Sequence, residues 1–177
     1  MKSEKVQKLV TAAMFSALCF LGTFLIKIPT FQGYIHLGDC MVLLSGLLLG
    51  PLYGGLAAGI GSCLSDLLAG YAAYIPGTFA IKAIAAALSA IIFNALITHV
   101  KNNRKPNLYV IISGIGGAIV VVFGYLAYEG IILSLGAGAI VNIPGNLIQG
   151  IAGIILGSIL YPVLSKIPTL RTLAQSN

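Results

Sequence analysis

The residues able to do chemistry in this chain are few. His36, Asp39, Asp66, Lys82 and Glu129 can carry charge or move a proton, and Asn142, Asn146 and Gln149 can donate and accept hydrogen bonds at once. Tyr34, Tyr71, Tyr74 and Phe79 can stack on a flat ring, and there is no Trp. The set suits the recognition of a small polar heteroaromatic guest better than catalysis. There is no GxxxxGK[ST] to cradle ATP phosphates and no HExxH for zinc, and the only histidines are His36 and His99. His36, Asp39 and Asp66 form the sole trio suited to acid–base work, and they carry no known signature. The expectation is therefore no enzyme, no catalytic residue, no metal and no cofactor. Cys19, Cys40 and Cys63 form no CxxC pair and read as free thiols packed as small apolar groups.

These residues need a scaffold, and composition limits what it can be. The 177-residue chain is 58% hydrophobic and 8% charged, whereas a soluble domain carries roughly 25% charged residues. Too few charges remain to cover a water-facing surface, which excludes a soluble enzyme and disorder alike. The net charge of +6 does not point to nucleic acid, because the basic residues sit in short clusters between apolar runs. The pattern predicts an all-α membrane protein, one domain over residues 1–177, lying in the lipid bilayer. At about 20 residues per span the length accommodates six transmembrane helices, read at 6–28, 37–49, 52–68, 78–100, 108–133 and 146–164. Gly50-Pro51 breaks the second from the third, a Gly-rich link joins the fifth to the sixth, and the tail after the last span is polar.

Lys/Arg bias sets the orientation. With both termini cytoplasmic, the inner side receives Lys2, Lys5, Lys8, Lys101, Arg104, Lys105, Lys166 and Arg171, and the outer side only Lys27 and Lys82. That orientation gathers His36, Asp39, Asp66, Lys82, Glu129, Asn142, Asn146 and Gln149 in the outer half. Intramembrane charges face protein or a water-filled cavity, so the expectation is a ligand cup near the outer surface. Small-and-polar stripes agree: Gly55, Gly59, Ser62 and Asp66; Thr78, Lys82, Ala85 and Ser89; Asn146, Gln149, Gly150, Gly153 and Gly157. Leu147, Ile151 and Ile154 point elsewhere. The stripes can also be packing seams, and Asp66 with Lys82 can also be an ion pair joining two spans. Pro144 fits the first turn of the last span, with Asn142 as its cap. Ala13-x-x-x-Ala17, in the inner half of span 1, permits close approach of another helix.

Four linked stretches carry a family resemblance. Gly33-Tyr34-Ile35-His36-Leu37-Gly38-Asp39 is followed by Leu49-Gly50-Pro51-Leu52-Tyr53-Gly54-Gly55, then Gly61-Ser62-x-x-x-Asp66-Leu67-x-x-Gly70-Tyr71, then Pro76-Gly77-Thr78-Phe79-x-Ile81-Lys82. Together with Asn142-Ile143-Pro144-Gly145-Asn146-x-x-Gln149, they resemble the substrate-binding S components of energy-coupling factor (ECF) vitamin importers, near the riboflavin, hydroxymethylpyrimidine and pyridoxine types. The resemblance implies six helices, a vitamin site near the outer surface with the first outer loop as its lid, and a location in the bacterial plasma membrane. It also implies docking to one transmembrane coupling protein and two ATP-hydrolysing subunits, with Ala13 and Ala17 at the coupling protein. It implies toppling of the subunit to carry ligand inward. The mixed site residues favour a small pyridine or pyrimidine vitamin; the alternatives are riboflavin, or a channel, exporter or structural subunit of another class.

Overall fold

A computed structural model describes residues 2–25, 27–29, 34–99 and 106–175. The protein is a helical bundle: α1 (Lys2–Phe24), a short hairpin β1 (Lys27–Pro29) and β2 (Tyr34–His36), α2 (Gly38–Leu68), α3 (Ile75–His99), α4 (Pro106–Ala127), α5 (Ile143–Leu164) and α6 (Pro168–Gln175). Five helical stretches among the described residues are long and apolar enough to cross a membrane. The basic loop 101–105, on which part of the orientation argument rests, lies outside the described residues, as do residues 30–33 of the first loop.

The longest helix, α2, folds back on itself. Gly50 adopts φ 79°, ψ 178°, a conformation essentially restricted to glycine. The Ser45 hydroxyl donates to the Gly54 carbonyl at 3.0 Å. Nine residues of straight helix span about 13 Å, so that contact requires the chain to reverse at Gly50-Pro51. The two limbs are the separate second and third spans read from the sequence. α2 occupies the middle of the bundle, against α1, α3 and α5, and nearly all of its first limb is buried. A Cβ on Gly54 would lie 2.3 Å from the Ser45 carbonyl oxygen and 2.7 Å from Gly46 Cα. Backbone cannot yield as a side chain can, so Gly54→Ala should destabilise the fold by about 3 kcal/mol or more. A thermal melt in detergent checks this; a wild-type midpoint would show that the hairpin tolerates a methyl group.

Several boundaries differ from expectation. Span 1 ends at Phe24 and not at residue 28, and Lys27–Pro29 instead pairs antiparallel with Tyr34–His36, Lys27 opposite His36. Pro29 is the physical reason, since a proline disfavours helix in the residue before it. The Gly-rich link is a 3-10 turn over Gly136–Asn142, and the fifth span continues beyond α4 as a π turn over Tyr128–Ile132. Pro144 sits in the first turn of α5 as expected, but Asn142 makes no side-chain cap bond; its amide is engaged with Glu129 instead. The tail is not simply polar: α6 is amphipathic, burying Leu170 and Leu173 in the cluster with Phe15, Leu44 and Tyr109.

The three small-and-polar stripes mostly face inward. Gly55, Gly59, Ser62 and Asp66 are buried on α2, and Thr78, Lys82, Ala85 and Ser89 on α3. On α5, Gln149, Gly150, Gly153 and Gly157 are buried, while Leu147 and Ile151 point outward. Ile154, expected to point away, is half-buried because its side chain fills the space above Gly114. All three cysteines are free thiols, two of them buried.

Candidate functional site

The helix directions bring one set of ends together: the C-terminal ends of α1 and α4, the start and finish of α2, and the N-terminal ends of α3 and α5. The hairpin β1–β2 lies beside them, with β2 packed on α5 and α1. Between these ends is a cavity with about 100 Å³ of water-accessible space, several times the roughly 10–15 Å³ that one buried water needs. It therefore has room for a larger guest.

Seven of the residues singled out from the sequence line the cavity: His36, Asp66, Tyr74, Glu129, Asn142, Asn146 and Gln149. Tyr71, noted as a stacking group, lines it as well. Tyr34 lies on β2 opposite Pro29, and its side chain is outside the described residues. Phe79 is not in the cavity; its ring packs over Gly59 on the outer side of the bundle, because residue 79 is one position round the helix from Thr78.

Asp39 and Lys82 are not on the cavity wall either. They lie one layer beneath it as a buried ion pair, Lys82 Nζ to Asp39 Oδ1 at 2.5 Å, with Lys82 fully buried. The lysine therefore does not pair with Asp66, the partner read as an alternative from the sequence. Gln149 Nε2 donates to the other carboxylate oxygen of Asp39 at 2.8 Å, and Gln149 Oε1 accepts from the His36 backbone N–H at 3.2 Å. His36 Nδ1 in turn accepts from the Gly38 N–H at 3.1 Å. The amide of Gln149 thus joins three parts of the protein, the hairpin, the ion pair and the cavity wall. A buried charge is tolerable only when paired and hydrogen-bonded, and both oxygens of Asp39 meet that condition.

Tyr125 connects the two layers. Its ring lies over Lys82 at 5.4 Å, within cation–π range. Its hydroxyl is 3.0 Å from Thr78 Oγ1, and it lines the cavity. On the far wall the Tyr74 hydroxyl donates to Glu129 Oε1 at 3.4 Å, and the Tyr71 and Tyr74 rings meet edge to face at 6.0 Å.

Sequence reading missed Thr23 and Tyr125 as wall residues, whereas Thr78, at the outer end of the Lys82 stripe, was read toward the cup. Tyr125 had a findable signal, since it stands four residues before Glu129 and shares its helix face. Thr23 had none, being a lone hydroxyl near the end of an apolar run. What the cavity can do is clear from its lining: three tyrosine rings offer flat apolar contact, and amides, hydroxyls and carboxylates around them offer directional hydrogen bonds. Among the described residues, no group on its wall is arranged as a nucleophile with its base.

Residues 3–166 match the family described as "ECF-type riboflavin transporter, S component". The chain is also 33% identical over 141 residues to an uncharacterized protein encoded in the gap 3′ region of Pyrococcus woesei, covering 80% of this chain and 88% of that one. Among solved structures, the S component for biotin from an ECF-type ABC transporter resembles it with a TM-score of 0.54 at 21% identity, over 92% of this chain and 94% of that one. That likeness concerns the fold. A multi-span bundle whose polar residues close on one cavity, without any nucleotide-binding motif, is what a binding subunit requires, and the family match accounts for it: the chain belongs to the S components of ECF transporters, multi-pass membrane proteins that bind a vitamin for import and are not enzymes.

Proposed function

We propose that this S component captures riboflavin, or a vitamin of closely similar ring chemistry, from the outer side of the membrane. The observation that carries the reading is a cavity walled by Tyr71, Tyr74 and Tyr125 together with the amides of Asn142, Asn146 and Gln149. A fused, flat heteroaromatic ring presents two faces for the tyrosines and an edge of alternating donors and acceptors. Amide side chains are suited to such an edge because each offers both functions. The family description supports the flavin over the smaller pyridine and pyrimidine vitamins favoured by the sequence alone. In this reading both termini are cytoplasmic, the cavity opens outward, and the hairpin end of the bundle covers the guest.

Import itself belongs to the partners. The proposed assembly is one transmembrane coupling protein and two ATP-hydrolysing subunits, with Ala13 and Ala17 at the coupling protein. Both alanines lie on the exposed face of α1 beside Met14 and Leu18, so a partner helix can approach the backbone there.

Calorimetry on the purified protein with riboflavin, hydroxymethylpyrimidine and pyridoxine tests the ligand. Riboflavin should bind tightest, without ATP. Asn146→Ala should weaken it by several-fold to about a hundred-fold, from the loss of about 1–3 kcal/mol for one partner of a buried hydrogen bond. Tighter binding of either small vitamin would overturn the ligand choice, and unchanged affinity in a folded Asn146→Ala protein would remove this wall from the site.

A further inference from the structure

Glu129 is a carboxylate with an unmet hydrogen-bonding capacity. It is 3% exposed and lines the cavity. The carboxylate accepts from Tyr74 at Oε1 and is engaged by the Asn142 amide, but Oε2 has no hydrogen-bond partner among the described residues. A second such atom belongs to another wall residue: Thr23 Oγ1, on α1, lies against Gly38 and is also buried without a partner. Buried acceptors left unpaired are costly, so each is an acceptor held ready for a donor on the guest.

The position of Glu129 is held firmly. It lies in the π turn Tyr128–Ile132, and π turns inside helices occur frequently at functional sites. Its neighbour Tyr128 donates to the Ala73 carbonyl at 2.7 Å, and the Tyr128 ring lies so close over Gly77 that a Cβ there would be 2.6 Å away. The Glu129 carbonyl accepts from the Leu135 N–H at 3.0 Å. The carboxylate therefore has little freedom to swing out of the cavity.

Charge completes the argument. Asp66 and Glu129 both stand on the cavity wall, and no Lys or Arg lines it among the described residues. The nearest buried cation, Lys82, is neutralised by Asp39 in the layer beneath. We propose that Glu129 accepts a hydrogen bond from an N–H or O–H of the bound vitamin, and that the negative wall selects the uncharged vitamin against its phosphate ester. The proposal deepens the function given above and rests on its ligand class. A phosphate monoester carries close to two negative charges near neutral pH, and like charges in a partly desolvated site repel strongly.

The test compares each vitamin with its own phosphate ester, using riboflavin and riboflavin 5′-phosphate, pyridoxine and its phosphate, and hydroxymethylpyrimidine and its phosphate. The full-length protein in detergent is titrated as wild type, Glu129→Gln and Thr23→Val. Wild type should bind the free vitamin at least about tenfold more tightly than the ester, given repulsion of this kind. Glu129→Gln keeps the shape but loses the charge, so it should narrow that ratio. Thr23→Val removes only a neutral hydroxyl, so it should weaken both compounds and leave the ratio alone. If Glu129→Gln does not fold, the wild-type ratio is measured against ionic strength, where screening must narrow it. Equal affinity for vitamin and ester in wild type, or an unchanged ratio in folded Glu129→Gln, overturns the inference and leaves the proposed function standing. Failure of every unphosphorylated vitamin to bind removes the ligand class itself and this inference with it.

Discussion

Lys82→Ala should cost the protein about 3–5 kcal/mol of stability, the range expected when one partner of a buried ion pair is deleted. The lysine is fully buried against Asp39, and its removal leaves a carboxylate in the bundle interior with only the Gln149 amide for company. The lost cation also uncovers the face of Tyr125. A thermal melt in detergent measures the effect. A second variant separates pairing from packing: Lys82→Met combined with Asp39→Asn removes both charges while keeping side chains of similar length. Replacing a buried pair by uncharged groups is often neutral or stabilising, so the double variant should recover most of the loss. If Lys82→Ala melts like wild type and loses only vitamin affinity, Lys82 is a ligand contact, and the layered description of the site is wrong.

Ala13→Trp or Ala17→Trp should abolish vitamin uptake in cells that carry the complete transporter, while the purified variant still binds vitamin with wild-type affinity. The two alanines are exposed on α1, about 15 and 9 Å along the helix before Thr23. Because α1 ends at Phe24, they sit at its middle and in its cavity-side half rather than in the inner half expected from the sequence. They lie on the exposed face, however, whereas Thr23 is on the buried one. An indole on a small-residue face keeps a partner helix from the close approach that such faces permit. It touches nothing in the bundle interior, because Phe15 and Cys19, not the alanines, are the buried residues of that stretch. Uptake of labelled vitamin and calorimetry on the same variants read the two effects separately. Normal uptake by both variants would place the docking surface elsewhere.

The all-helical membrane class was legible from charge alone. A chain with so few charged side chains has no surface suited to water, and apolar runs of span length leave few alternatives. The reversal at Gly50-Pro51 was legible for a local reason, because its glycine conformation and the following proline both act within a few residues. Once the number and order of the spans are known, up-and-down alternation puts His36, Asp66, Tyr74, Glu129, Asn142, Asn146 and Gln149 at one end. Most of the candidate wall was therefore within reach of one-dimensional reasoning.

Depth could thus be read along the chain: which residues lie at the same height in the bundle. Partnership needed the tertiary structure. Lys82 had Asp39 and Asp66 available at comparable depth, and the choice of Asp39 depends on how α2 and α3 are rotated about their own axes. Rotation is set by close packing across the whole interface, such as Gly46 against the backbone of Ala86 and Gly59 against Phe79. The same packing decided that Gln149 reaches both Asp39 and the hairpin, 110 and 113 residues away along the chain. It also turned Phe79 away from the cavity and Tyr125 toward it. Spacing within one helix orders its own faces, but it carries no information about which face a neighbouring helix will meet; that follows only when side chains from distant segments fill the same space without overlap.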